Sequence, residues 1–102
     1  MAKRKVVWTE TAAKQRREIL EYWTLRNKST AYAEKLIRQT SARIKIILNH
    51  PESYKTTIYP ETRISAMGHF SILYKLTEEQ LIITAFWDNR QDPQKLIDII
   101  KK

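Results

Sequence analysis

The chain has 102 residues, of which 42% are hydrophobic and 29% are charged, and it contains no cysteine. This composition is typical of a single globular domain, here residues 1–102, and it excludes disordered, collagen-like and disulfide-stapled chains. The absence of cysteine also excludes enzymes with a catalytic cysteine and metal sites with cysteine ligands. The net charge of +8 lies entirely in the first half: residues 1–50 hold 12 lysines and arginines against 4 acidic residues, and residues 51–102 hold 7 of each.

A basic half joined to a neutral half favours a negatively charged partner, either nucleic acid or an acidic protein. A well-solvated helical surface is the alternative interpretation. The basic N-terminus, residues 1–5, is followed by neither a long apolar run nor a small-residue cleavage site. We therefore expect a cytoplasmic protein with no signal peptide and no membrane partner.

The first half of the chain predicts a strand and two helices. Residues 6–9 are β-branched and aromatic, which is typical of a short strand. Apolar residues then recur at helical spacing from Thr11, and again over residues 33–48. Thr9 or Thr11 is expected to cap the first helix, the polar segment 27–30 separates the two, and Pro51 ends the second. We expect two antiparallel amphipathic helices.

The second half predicts an antiparallel meander. Residues 62–67, 69–76 and 81–88 alternate with period two and are separated by Gly68 and by the polar turn 77–80. Gly68, the only glycine, is expected to adopt a positive φ in the first hairpin. The last segment, in which Asp92 and Pro93 precede apolar residues at helical spacing, predicts a short C-terminal helix.

The element order β-α-α-β-β-β plus a short C-terminal helix predicts an α+β fold, with two N-terminal antiparallel helices packed on one face of an antiparallel sheet. Alternation assigns the strand residues to faces. The residues expected to face the helices are Phe70, Ile72, Tyr74, Leu76, Leu81, Ile83, Ala85 and Trp87. Arg63, Ser65 and Met67 share a face, which we expect to be the uncovered side.

No phosphate loop, metalloprotease motif or nucleophile elbow is present, and we expect neither a cofactor nor a metal. The candidate catalytic residues are Arg63, His69 and Arg90, on or beside the meander. Its geometry brings His69 and Arg90 towards one edge, with Arg63 further along its strand. Cations and an acid or base of this kind fit metal-free RNA cleavage. The alternatives are that Arg63 is a surface cross-strand partner, that His69 is a polar hairpin residue, and that Trp87 belongs to the core and does not stack on bases.

The layout, the strand sequence MGHFSILYK at 67–75 and the ending FWDNRQDP at 86–93 resemble the RelE/ParE superfamily of bacterial toxins. The resemblance covers nearly the whole chain and implies a small toxin held inactive by a cognate antitoxin. Members are either ribosome-dependent mRNA endonucleases or gyrase poisons. Arg63 and Arg90 fall where the nucleases carry basic residues, whereas Ser71 replaces their usual arginine and the segment from Pro93 has neither tyrosine nor histidine.

We therefore expect the toxin of a two-component module, with its basic helices and sheet rim binding an acidic, partly disordered antitoxin. Arg63, His69 and Arg90 favour ribosome-dependent cleavage of mRNA, with the ribosome and mRNA as partners. The resemblance leaves DNA gyrase as the alternative target, and a non-enzymatic binding module on the same fold is a third interpretation.

Overall fold

The computed structural model describes residues 4–91, 94 and 95. The elements in chain order are β1 (Lys5–Trp8), α1 (Glu10–Asn27), α2 (Ala31–Asn49), β2 (Lys55–Thr56), β3 (Thr62–Met67), β4 (Phe70–Leu76) and β5 (Gln80–Asp88). They confirm the predicted α+β fold. The short C-terminal helix predicted after Asp92 lies outside the described residues, apart from Gln94 and Lys95.

The five strands form one sheet in the order β1-β5-β4-β3-β2. The pairs β2–β3, β3–β4 and β4–β5 are antiparallel, as the meander predicts, but β1 lies parallel to β5. β1 joins the sheet at the edge that the last strand leaves open, so its pairing is made with the most distant strand in the sequence. No described helix is long and apolar enough to cross a membrane.

Local signals set the ends of α1. Thr9 is its N-cap, and its side-chain oxygen accepts a hydrogen bond from the backbone N of Ala12 at 3.1 Å. The backbone N of Thr9 donates to the carbonyl of Ile83 at 3.1 Å, which joins the helix start to β5. The helix ends at Asn27, and its C-cap, Lys28, adopts the left-handed conformation.

The helices and one face of the sheet enclose the core. Its buried members are Ala12, Ile19, Leu36, Ile47, Met67, Phe70, Ile72, Tyr74, Leu81, Ile83 and Phe86. The Phe70 and Phe86 rings stack with centroids 5.7 Å apart. The hairpin between β3 and β4 turns at Gly68, whose φ of 63° confirms the predicted positive value.

A bulge in β5 corrects the predicted sheet faces. Leu73 pairs with Ala85 and Tyr74 pairs with Ile83, so Thr84 is an extra residue without a partner on β4. One extra residue reverses the alternation beyond it. Phe86 therefore faces the helices, and the prediction that Ala85 and Trp87 do so was wrong.

The predicted face of β3 was also wrong. Arg63, Ser65 and Met67 pair with Tyr74, Ile72 and Phe70 respectively. Residues opposite each other in an antiparallel pair project to the same side, so all three lie on the helix-covered face. The Arg43 side chain of α2 confirms this placement, since its Nη1 donates to the Ser65 hydroxyl at 3.4 Å.

Candidate functional site

The end of the sheet where β4 begins and β5 finishes brings His69 and Arg90 together. Phe70 pairs with Asp88, and the backbone N of Asn89 donates to the carbonyl of His69 at 2.7 Å. His69 is exposed at this edge. The predicted proximity of His69 and Arg90 is therefore present in the structure.

Arg90 is held by a carboxylate and two rings. Its Nε donates to Asp88 Oδ1 at 2.9 Å and its Nη2 donates to Asp88 Oδ2 at 2.8 Å, a bidentate ion pair. Its guanidinium carbon lies 5.2 Å from the Trp23 ring centroid and 5.8 Å from that of Phe70. Hydrogen bonding from Arg90 holds the pKa of Asp88 below its usual value. The two charges compensate each other, which weakens the field that Arg90 presents to a substrate.

Arg63 lies elsewhere and has a different environment. Its Nη1 donates to the carbonyls of Glu52 at 3.1 Å and Tyr54 at 2.7 Å, in the loop that follows α2. Four strand positions separate it from Met67 at the hairpin end, a distance of about 13 Å. The structure therefore brings His69 and Arg90 together but does not bring Arg63 to them.

A second strand residue holds the same loop. The Tyr74 hydroxyl donates to the carbonyl of Pro51 at 2.7 Å, and its ring makes an edge contact with Tyr54 at 6.4 Å. Burial raises the pKa of Tyr74 to about 12, although the charge of Arg63 opposes the shift. We call this set the loop clasp: Arg63 and Tyr74 on the sheet, and residues 51–54 in the loop.

Ser71, where the nucleases have arginine, is buried. Its hydroxyl donates to Asn89 Oδ1 at 2.8 Å, which ties β4 to the turn after β5. Ser71 pairs with Trp87, so it lies on the sheet face away from the helices. Trp87 is also buried, at 7% exposure, and this burial favours a packing role over base stacking.

A groove of about 710 Å³ runs between α1 and the end of β5. We call it the α1–β5 groove; its lining includes Glu18, Tyr22, Trp23, Arg26, Asp88, Arg90 and Lys95. Gln15 joins its two walls, since its side-chain oxygen accepts a hydrogen bond from the backbone N of Phe86 at 2.8 Å. A groove of this volume lies within the range of binding pockets.

Trp23 is the central ring of this groove. Tyr22 and Tyr32 contact it edge-on at 5.2 and 5.1 Å, and the guanidinium of Arg26 lies 5.9 Å from its centroid. In the sequence, Trp23 is one of the apolar residues that recur at helical spacing after Thr11, and this spacing does not indicate its place in a surface groove. The signal available was Arg26 three residues after Trp23, since this spacing brings side chains together on a helix.

The fold, a helical hairpin on a five-stranded sheet, is that of a small toxin of the RelE/ParE superfamily. A family model for the ParE toxin of type II toxin–antitoxin systems, parDE, matches residues 6–93. The chain therefore belongs to this family, and membership of a two-component system implies an antitoxin partner.

A solved structure supports the same fold. A chain of the chromosomal ParDE toxin–antitoxin system from P. aeruginosa is similar, with a TM-score of 0.71, 15% sequence identity, and coverage of 83% of this chain and 95% of that chain. At this identity the likeness concerns the fold alone. A search of curated protein sequences finds no match.

Proposed function

We propose that this chain poisons DNA gyrase and is neutralised by an acidic antitoxin. The observation that carries the proposal is the match of residues 6–93 to the ParE model, because ParE proteins usually act on gyrase. Fold alone does not choose between the two activities of the superfamily, so the residues of the candidate site supply the second argument.

The arrangement of the polar residues argues against cleavage of mRNA. Metal-free cleavage needs an acid, a base and uncompensated cations around one phosphate. Arg63 holds the carbonyls of Glu52 and Tyr54, and the charge of Arg90 is paired with Asp88. His69 alone lies beside Arg90, so the three candidates do not converge on a single phosphate.

The α1–β5 groove supports the proposed antitoxin contact. It combines the exposed ring of Tyr22, at 53% exposure, with the basic side chains of Arg26 and Lys95, whereas Arg90 is paired there with Asp88. Large aromatic side chains with arginines are the residues that dominate protein interfaces. An acidic segment that folds on contact would place apolar side chains on the rings and carboxylates beside Arg26 and Lys95.

The proposal is tested by two assays run in parallel. After brief induction of the toxin, mRNA 5′ ends are mapped while plasmid supercoiling and DNA breaks are measured. We expect gyrase-dependent DNA breaks with intact mRNA, and purified toxin is expected to inhibit supercoiling by purified gyrase. Cuts within translated codons with unchanged supercoiling would instead assign the chain to the nucleases. If neither effect is observed, the chain is a non-enzymatic binding module.

The proposed neutralisation by an antitoxin is tested separately. The reading frame beside this gene is expected to encode a small acidic protein whose co-expression restores growth. The same purified protein should abolish inhibition of gyrase when mixed with the toxin at equal concentration. If induction is harmless and the neighbouring protein does not bind, the toxin assignment fails.

A further inference from the structure

The outward face of α2 carries a row of cations. Lys35, Arg38 and Lys45 are all exposed. At about 100° per residue they fall within about 80° of arc, on the side of the helix opposite the buried residues Leu36 and Ile47. We call these three residues the α2 cationic stripe.

No ion pair neutralises the stripe in the part of the chain that the structure describes. The ion pairs among residues 4–91, 94 and 95 are Lys14–Glu18 and Arg90–Asp88, so none involves the stripe. Glu34, in the first turn and four residues before Arg38, is the only acidic residue of α2, and it forms no ion pair with the stripe. Arg43, on the flank of the helix, is bonded to Ser65 and does not belong to the row. Three free positive charges therefore point to solvent from one helix.

The remainder of this face is small or polar. Ala42 lies between Arg38 and Lys45, and Gln39 and Asn49 border the row. Ile46, at 48% exposure, is the one large apolar side chain at its margin. A helix that docks on a protein needs apolar or aromatic anchors. The exposed large apolar residues of α2 are Ile37 and Ile46, and Ile37 lies about 120° around the helix from the middle of the row. The α2 cationic stripe fits a partner with regularly spaced negative charge.

We propose that the α2 cationic stripe binds the phosphate backbone of duplex DNA. The choice of DNA rests on the proposed function, because gyrase acts on a DNA duplex. Lys35 and Lys45 are ten residues apart, which is about 15 Å along the helix and about the rise of four base pairs. Such contacts carry no sequence information, so binding is independent of base sequence and strongly dependent on salt.

The test measures binding of purified toxin to a fluorescent duplex of about 20 base pairs by anisotropy, at salt concentrations from about 50 to about 200 mM. The stripe variant is Lys35→Gln, Arg38→Gln and Lys45→Gln. The matched control is Arg17→Gln, Lys55→Gln and Lys75→Gln, which removes the same charges from exposed positions elsewhere. Circular dichroism melts establish that both variants fold.

We expect the stripe variant to lose about tenfold or more in affinity at low salt, and its logarithmic salt slope to decrease by about 2.7, since each phosphate contact contributes about 0.9. The control is expected to stay within about threefold of the wild type. Absence of duplex binding by the wild type at low salt would overturn the inference. An equal loss in both variants would also overturn it, because the effect would then be that of net charge.

Two further outcomes assign the stripe to another partner and overturn the inference. One is tighter stripe-dependent binding of single-stranded RNA of the same length than of the duplex. The other is a stripe variant that keeps its DNA affinity but loses the antitoxin. The gyrase assay separates this inference from the proposed function. A toxin that inhibits gyrase but does not bind free duplex contradicts only the inference. A toxin that binds duplex through the stripe but does not inhibit gyrase contradicts only the gyrase proposal.

Discussion

The guanidinium groups of Arg90 and Arg63 both bond to other residues of this chain, but the two arginines stabilise different parts of it. Arg90 pairs with Asp88 and stacks on Trp23 at the edge of the groove, where 45% of its side chain remains exposed. Arg63 bonds two backbone carbonyls in the loop clasp. A substitution at Arg90 thus changes the surface of a groove, whereas a substitution at Arg63 removes hydrogen bonds between a strand and a loop.

We predict that Arg63→Ala acts on stability. It removes both hydrogen bonds to Glu52 and Tyr54, and their loss should lower the free energy of unfolding by about 1 to 3 kcal/mol. Lys55→Ala, on the neighbouring strand, is the control and should change it by less than about 0.5 kcal/mol. Urea denaturation measures both. A variant that keeps wild-type stability and loses toxicity would return Arg63 to the functional site.

The Asp88–Arg90 pair predicts a pH dependence. Folding lowers the pKa of Asp88, so the pair contributes stability that is present above the unfolded value of about 3.9 and is lost as pH falls through the folded value. Asp88→Asn should therefore weaken the dependence of the unfolding free energy on pH between about pH 5 and pH 2. Arg90→Gln removes the same interaction and should do likewise. Parallel profiles for wild type and Asp88→Asn would contradict this explanation.

At the scale of the elements, the two helices begin with the same residue type but different caps. Thr9 caps α1 through its side chain, whereas Thr30, the N-cap of α2, makes no side-chain cap hydrogen bond. The start of α2 is satisfied by the neighbouring residue, since Ser29 Oγ accepts a hydrogen bond from the backbone N of Ala31 at 3.1 Å. The α1 cap also lies where the helix joins β5.

We predict that Thr9→Ala lowers the free energy of unfolding more than Thr30→Ala does. Loss of a side-chain N-cap typically lowers the free energy of unfolding by about 1 kcal/mol, so Thr9→Ala should show this loss. Thr30→Ala should change it by less than about 0.5 kcal/mol, because it removes no cap bond. Thermal and urea melts of the pair make the comparison. Equal losses would show that the hydrogen bond of Thr9 is not the stabilising contact.

At the scale of the whole molecule, the aromatic groove and the row of unpaired cations lie on different surfaces. The α1–β5 groove holds Tyr22 and Trp23, and α2 presents a row of free cations on its outward side. Two surfaces of different chemistry suit two partners, an antitoxin segment with apolar and acidic side chains and a polyanion. The excess charge of the first half of the sequence thus contributes to both.

We predict that Tyr22→Ala weakens the antitoxin complex by about tenfold or more, because an exposed aromatic ring at the centre of an interface is typical of a binding hot spot. Stability should change little, since 53% of Tyr22 is exposed. Ile58→Ala removes an apolar side chain that is 88% exposed and outside the groove, and should leave binding unchanged. Calorimetric titration with the antitoxin measures both. Equal affinities for Tyr22→Ala and the wild type would exclude this groove.

The sequence by itself determined the elements other than β2, because each of them has a local cause; the two-residue strand β2 was not among the predicted elements. Helical spacing located α1 and α2, alternation located β3 to β5, and Gly68 marked a turn that needs a positive φ. Residues 67–75 and 86–93 also carried the family resemblance that the ParE match confirms. Each of these features depends on residues close together in the chain, and a sequence displays such residues directly.

Tertiary structure alone decided which segments meet and in what register. The extra residue Thr84 places Phe86 in the core and Trp87 on the face opposite to the predicted one. The alternation of the sequence does not indicate a single inserted residue. Likewise, Arg63 alternates as predicted, but its partners are loop carbonyls supplied by a segment 9 to 11 residues away. Alternation specifies two faces for a strand, and only the tertiary packing selects which of them the helices cover.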